Sequence, residues 1–266
     1  MSAVDPGYGV FTALPSYVAA VAELPLSAAL TEDLGGAVVV VPGSGDWWQG
    51  MLAARAGGAL AVVIADPCVL PPEARESDPW LGGIPVIVDR PRLRPDVVAD
   101  AVRARWSSPA RIVTVECSAP AAALDAAICD GLGWARSLVQ GPLTLRSSTA
   151  TAHSRIALLD SGGSAGGSIP TTLASTTAAA GLRADGLLQV LALGEVRTEV
   201  TVDQLAGLMR LETSTEDGTL RAPERYESSS RLALRRALEA CASGEPVADL
   251  EELLEDMVLT RKLFRA

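Results

Sequence analysis

The residue types that most often move protons are nearly absent from this chain. Its 266 residues include one histidine, His153, and one lysine, Lys262. Every other basic residue is arginine, which does not titrate in the range where proteins work. A metal site built on several histidines is therefore excluded within one chain. So is a mechanism that needs both a histidine acid and a histidine base. Lysine chemistry is confined to Lys262, close to the C-terminal end. What remains is carboxylate and thiol chemistry. Asp125 and Cys129 stand one helical turn apart, with Asp130 beside them. Asp66 closes an apolar run. Gathered in one cleft, these groups make an acid pair with a thiol next to it. As metal ligands they are an odd set, rich in oxygen with one thiolate. Cap, turn and surface roles account for the same residues without any site. Trp47-Trp48 offers either a stacking platform or ordinary packing on a sheet. Gly43-Ser44-Gly45 suits an anion or a plain turn. His153 reads as a surface or strand-pairing residue. Arg231, Arg235 and Arg236, and the acids Glu251, Glu252, Glu255 and Asp256, read as solvated helix faces.

Charge and composition narrow the class. Lys+Arg total 22 against 32 Asp+Glu, a net charge of −10. That sign argues against a general nucleic-acid binder. The 48% apolar content fits a globular chain with ample core. Cys68, Cys117, Cys129 and Cys241 include no C-x-x-C pair and read as reduced, mostly buried thiols. The first residues lack a basic region followed by an apolar run. The longest apolar runs, such as Ala37–Val41, fall far short of the roughly 20 residues that cross a bilayer. The expectation is a cytoplasmic protein that binds neither membrane nor nucleic acid.

The elements that must position these groups come in two styles. In the first half, Gly9–Thr12 is a short strand candidate and Pro15–Glu23 a helix. Ala37–Val41, Leu60–Ala65, Ile84–Val88 and Arg111–Glu116 read as four successive strands of the kind buried in a parallel sheet. Helices follow at Trp47–Ala56, capped by Asp46, and at Pro95–Ala104. Such alternation implies a parallel α/β sheet with right-handed crossovers. A longer helix, Ala121–Val139, leads into a strand-rich half. Strands are expected at Ser154–Leu159, Ser168–Ala174, Leu187–Leu193, Val196–Val202 and Leu208–Glu212. Turns are expected at Gly162-Gly163, Ala184-Asp185-Gly186 and Asp217-Gly218. Helices at Ser228–Ser243 and Val247–Phe264 close the chain. The fold class is thus α/β plus α+β. An incomplete Rossmann-like domain spans 1–120. An open, mainly antiparallel sheet domain spans 121–266, its last helices being candidates to return to the first.

This order resembles the glucose–fructose oxidoreductase / inositol dehydrogenase (Gfo/Idh/MocA) family from Ala37 to the end. Ala37–Ala56 looks like the strand–turn–helix beside the nicotinamide. Leu60–Pro67 looks like the strand ending in the family's Glu-Lys-Pro motif. Leu124–Cys129 looks like the helix with its Asp-x-x-x-His pair, and Trp134–Pro142 like its continuation. Ile156–Asp160 through Gly167-Ser168 looks like the hairpin of the second domain. Tyr226–Pro246 and Leu250–Arg261 look like the closing helices.

The departures concern the chemistry. The family opens with a strand and a G-x-G-x-x-G turn that lets backbone N–H groups approach the pyrophosphate. Gly7-Tyr8-Gly9 does not fit that turn, so the chain reads as beginning near the family's second strand. Thr12–Pro15 then stands where the ribose is read and offers neither an acid nor a base. Asp66 replaces the motif's lysine. Asp125 is kept, Cys129 replaces the histidine, and Leu132 stands where a further Asp is common. A thiol is a poor general base without positive neighbours. The resemblance with these losses implies a degenerate member, without cofactor or hydride transfer, serving a structural or regulatory role. One alternative is an NAD(P)-dependent oxidoreductase of a sugar or polyol. Asp125 would then be the acid/base, with Asp66 and Cys129 orienting the substrate. Another alternative is a non-catalytic binder of a sugar-like ligand. On family grounds the partner is a second copy, or an active relative, met through the open sheet around Leu187–Leu193.

Overall fold

The structure is a computed structural model describing residues 7–67, 83–105, 108–162, 167–178 and 186–264. Cys68, Gly163 and the Ala184-Asp185 part of an expected turn lie outside these residues. The chain runs through β1 (Tyr8–Phe11), α1 (Pro15–Ala22), β2 (Ala28–Leu30), β3 (Ala37–Pro42), α2 (Trp47–Ala56), β4 (Ala61–Ala65) and β5 (Val86–Asp89). It continues with α3 (Pro95–Ala104), β6 (Ile112–Ala119) and α4 (Ala121–Val139). Seven strands follow: β7 (Leu143–Ala150), β8 (Ser154–Gly162), β9 (Ser168–Thr177), β10 (Leu187–Leu193), β11 (Arg197–Asp203), β12 (Leu208–Thr215) and β13 (Gly218–Arg221). Helices α5 (Ser229–Ser243) and α6 (Asp249–Phe264) close it. Two compact units result: Met1–Pro91 with Arg225–Leu254, and Arg92–Glu224 with Glu255–Ala266.

The first unit is a parallel sheet in the order β2-β1-β3-β4-β5. All of β3 through Val41 is buried, as an uninterrupted β-branched run requires. Helices α1 and α5 pack on one face, over Val10, Val38, Val40, Ala61, Val63 and Ile87. Helix α2 packs against β3 and β4 and buries Trp47, Trp48, Met51 and Ala54. The two indoles meet edge to face at 5.8 Å, so they are packing residues and not an open platform. Asp46 caps α2 as expected, accepting from the Gln49 N–H at 3.1 Å. The expected return to the first unit holds for α5, which packs on β4 and β5, and for the start of α6, where Asp249 accepts the Val88 N–H at 3.0 Å. Arg236 of α5 and Asp249 form a bidentate pair, both bonds 2.8 Å.

The second unit is an eight-stranded sheet in the order β13-β12-β11-β10-β6-β9-β8-β7. Only β6 and β9 run parallel; every other pair is antiparallel. The strand expected at 111–116 as the fourth of the parallel sheet is therefore a correction. It is β6, and it pairs with β10 and β9 in the second unit. Its alternation of buried and exposed residues suits a sheet covered on one face. The compact units accordingly meet in sequence at Pro91/Arg92 instead of near 120.

Helix α4 covers the inner face at close range. A Cβ added to Gly131 would lie 2.7 Å from Val115 Cγ1, so glycine sets the helix–sheet distance there. Buried polar groups brace this layer. Arg92 donates to Asp130 at 2.7 Å and to Gln204 at 2.6 Å, and its carbonyl accepts from the Trp134 indole at 2.8 Å. Arg105 reaches the β10–β11 turn, donating to the Val196 carbonyl at 3.0 Å and to Thr198 Oγ1 at 3.1 Å. No described helix is long and apolar enough to cross a membrane. Arg92→Met removes the guanidinium from a carboxylate only 5% exposed. It should cost about 3–5 kcal/mol, read as a lower urea midpoint; an unchanged midpoint would show that this pair does not brace the layer.

Candidate active site

In an open parallel sheet the ligand crevice opens at the carboxyl ends of two strands whose connections leave in opposite directions. Here β1 leads outward to β2, and the chain then returns to place β3 on the other side of β1. The crevice of the first unit therefore lies at the ends of β1 and β3. Five short segments reach that edge of the sheet. They are Thr12–Pro15 after β1, Thr31–Asp33 after β2, Gly43–Asp46 after β3, Asp66-Pro67 after β4, and Asp89 closing β5.

This placement corrects the reading of the N-terminal residues. Tyr8–Phe11 is not the second strand. It pairs with β2 on one side and β3 on the other, the position of the first strand in a doubly wound sheet. The first strand is present; its turn lacks glycines. Counted from the end of β1, Thr12, Leu14 and Tyr17 occupy the three positions of a G-x-G-x-x-G turn. The second strand is β2, and Thr31-Glu32-Asp33 follow it. Glu32 lies about 20 residues beyond the turn, where a carboxylate reads the ribose hydroxyls. It is exposed and has no hydrogen-bond or ion-pair partner among the described residues. Asp33 instead accepts the Gly35 N–H at 3.0 Å and closes a local turn. The signal for Glu32 was legible, since Gly9–Thr12 already read as a strand; only its rank in the sheet was missed.

Around these loops the edge is tightly tied. The Tyr17 hydroxyl donates to Asp89 Oδ2 at 2.7 Å, and Ser229 of α5 donates to Asp89 Oδ1. Burial, then the Asp89 carboxylate, push the Tyr17 phenol far above its ordinary range. It is a structural donor and not an acid for catalysis. Gly43 sits where two strand ends converge. Its N–H donates to the Ala65 carbonyl at 2.7 Å, and a Cβ there would come within 2.3 Å of the same oxygen. That close approach explains the glycine without an anion. Asp66 is exposed, with φ at 48°, a left-handed conformation that Asp tolerates better than most residues. Its N–H donates to the Asp89 carbonyl at 2.9 Å.

Asp125, Cys129 and Asp130 belong to α4 of the second unit, and they part company there. The Asp125 side chain is 61% exposed and faces the Arg155 guanidinium at 3.8 Å. Partial burial raises the carboxyl above its ordinary range, and Arg155 opposes only part of that rise. Cys129, one turn on, is 5% exposed, and Asp130 holds Arg92. The spacing of four brings Asp125 and Cys129 onto one helix, but only the carboxylate reaches solvent. Cys117 is buried as well, and burial pushes its thiol up. His153 is exposed beside the β7–β8 turn, and Lys262 is exposed near the end of α6. Among the described residues no three His, Cys, Asp or Glu side chains group as a metal site.

No protein-family model and no curated protein matches the sequence. Solved structures do match in fold. A putative NADPH-dependent oxidoreductase from Desulfitobacterium hafniense aligns with a TM-score of 0.70 at 11% identity, over 98% of this chain and 96% of that one. The UDP-N-acetylglucosamine 3-dehydrogenase GnnA from Acidithiobacillus ferrooxidans gives 0.67 at 14%, over 97% and 96%. The 3-ketoreductase KijD10 from Actinomadura kijaniata, solved with NADP, gives 0.62 at 13%, over 98% and 97%. The architecture is the two-domain Gfo/Idh/MocA fold: a parallel sheet, then a mostly antiparallel sheet with closing helices.

The burial of the α4 thiol has a direct readout. In native protein at mildly alkaline pH, iodoacetamide should leave Cys117 and Cys129 unmodified, while both react in concentrated guanidinium. Labelling of native Cys129 at the rate of a free thiol would return it to the list of reactive groups.

Proposed function

We propose that this protein is an oxidoreductase of the Gfo/Idh/MocA type that uses NAD in preference to NADP and acts on a sugar or polyol. The observation that carries this is Glu32, an exposed carboxylate without a partner among the described residues, just beyond the strand beside β1. A carboxylate there accepts from both hydroxyls of an unmodified ribose and repels a 2′-phosphate. The residues present fit this end of the cofactor. When bound, the nicotinamide accepts or donates the hydride. The chain's own part is the proton. Asp125 is the acid/base: it is open to solvent, faces Arg155 at 3.8 Å, and has its carboxyl raised above the ordinary range, which suits a group that must take and return a proton. Asp66 takes a substrate hydroxyl, and Cys129 shapes the helix behind Asp125. The cytoplasm, where thiols stay reduced, is the proposed compartment.

A second reading has its own support. A carboxylate at Asp66 in place of an ammonium, and a buried thiol in place of a histidine, favour a protein without turnover that serves a structural or regulatory role. Fluorescence titration separates the two. NADH should bind stoichiometrically, and NADPH at least about tenfold more weakly, the worth of one charge-assisted contact. Asp125→Asn should abolish most turnover across a polyol panel. Binding without any turnover would favour the second reading, and absence of NADH binding would remove the first.

We also propose self-association through the outer face of the eight-stranded sheet. Ile156, Leu158 and Leu193 are 57%, 43% and 38% exposed on it, more apolar surface than a solvated face needs. Light scattering should give a dimer and Leu158→Arg a monomer; a monomeric parent protein refutes the proposal.

A further inference from the structure

The crevice of the first unit offers a carboxylate to a ribose and little to a pyrophosphate. The segment that builds β1, α1, β2, β3 and most of α2, residues 1–54, contains no Lys, Arg or His. It contains five acids: Asp5, Glu23, Glu32, Asp33 and Asp46. A pyrophosphate at the end of β1 would depend on backbone N–H groups at the start of α1. Few of these are available. Pro15, the first helical residue, has none. The Leu14 N–H donates to Thr12 Oγ1 at 3.2 Å. Those of Tyr17 and Val18 both donate to the Leu14 carbonyl at 3.0 Å.

The side chains reinforce this. Leu14 and Tyr17 stand where glycines would let the phosphates approach. Tyr17 is 1% exposed and bonded to Asp89, which also binds Ser229 of α5. Helix α1 is thereby held against β5 and α5 and is not free to shift toward a ligand. Across the crevice, Asp46 puts a negative charge on the start of α2, the other helix whose N-terminus opens at this edge.

We infer that affinity in this crevice comes from the ribose diol at Glu32, so that adenosine and NAD bind with closely similar strength. The inference rests on the NAD reading above. Titration calorimetry of the full chain with adenosine, ADP and NAD tests it. Adenosine and NAD should differ by no more than about threefold, with little change on adding salt, because few charge contacts exist to screen. Glu32→Gln should weaken both about tenfold. Pro15→Ala restores one N–H and should tighten ADP and NAD while leaving adenosine unchanged. NAD binding thirtyfold or more tighter than adenosine overturns the inference and leaves the NAD reading intact. Adenosine binding without NAD binding breaks the expected equality and removes the NAD reading with it. Binding of neither overturns both.

Discussion

Parallel strands need a crossover between each pair, and two crossovers that leave one strand in opposite directions must open a crevice at its carboxyl end. The first unit is built on that constraint. Because β1 lies between β2 and β3, every loop that could hold a ligand is delivered to one edge of one sheet. The constraint acts through burial. The Val-rich strands have no polar face, so helices must cover both sides, and only the strand ends remain for chemistry.

The same edge shows how a fold is kept while its loops change. Thr12–Pro15 satisfies its own backbone through Thr12 Oγ1 and the Leu14 carbonyl. Tyr17 fills the space a glycine would leave and spends its hydroxyl on Asp89. Each substitution is locally satisfied, so none needs the ligand to complete it. Two buried guanidinium groups of the second unit find partners in the same way. Arg92 finds Asp130 and Gln204, and Arg105 finds turn oxygens. A buried charge without such partners would be far more costly than these pairs are stabilising.

The proposed function rests on groups that escape this self-satisfaction. Glu32 is exposed and has no partner among the described residues, and Asp125 meets Arg155 only at 3.8 Å. Cys129 and Asp130 are consumed by packing and pairing, although they share a helix with Asp125. The spacing of four that puts two side chains on one face does not decide how deep each one lies. Depth depends on the sheet below, and here Gly131 lets α4 sit close to Val115.

Composition and periodicity alone determined the two sheet styles, the helix at Ala121–Val139, the Asp46 cap and the near absence of histidine and lysine. These are local properties: a β-branched run or an alternating pattern carries its burial in its own residues. Tertiary structure alone decided strand order. Period and composition do not tell whether Tyr8–Phe11 lies at the centre of a sheet or at its side. Nor do they tell whether 112–119 pairs with the first sheet or with β9 and β10. Those pairings join residues far apart in the chain through backbone hydrogen bonds that every residue can make. Those pairings bring Glu32, a loop acid with no motif around it, to the candidate site.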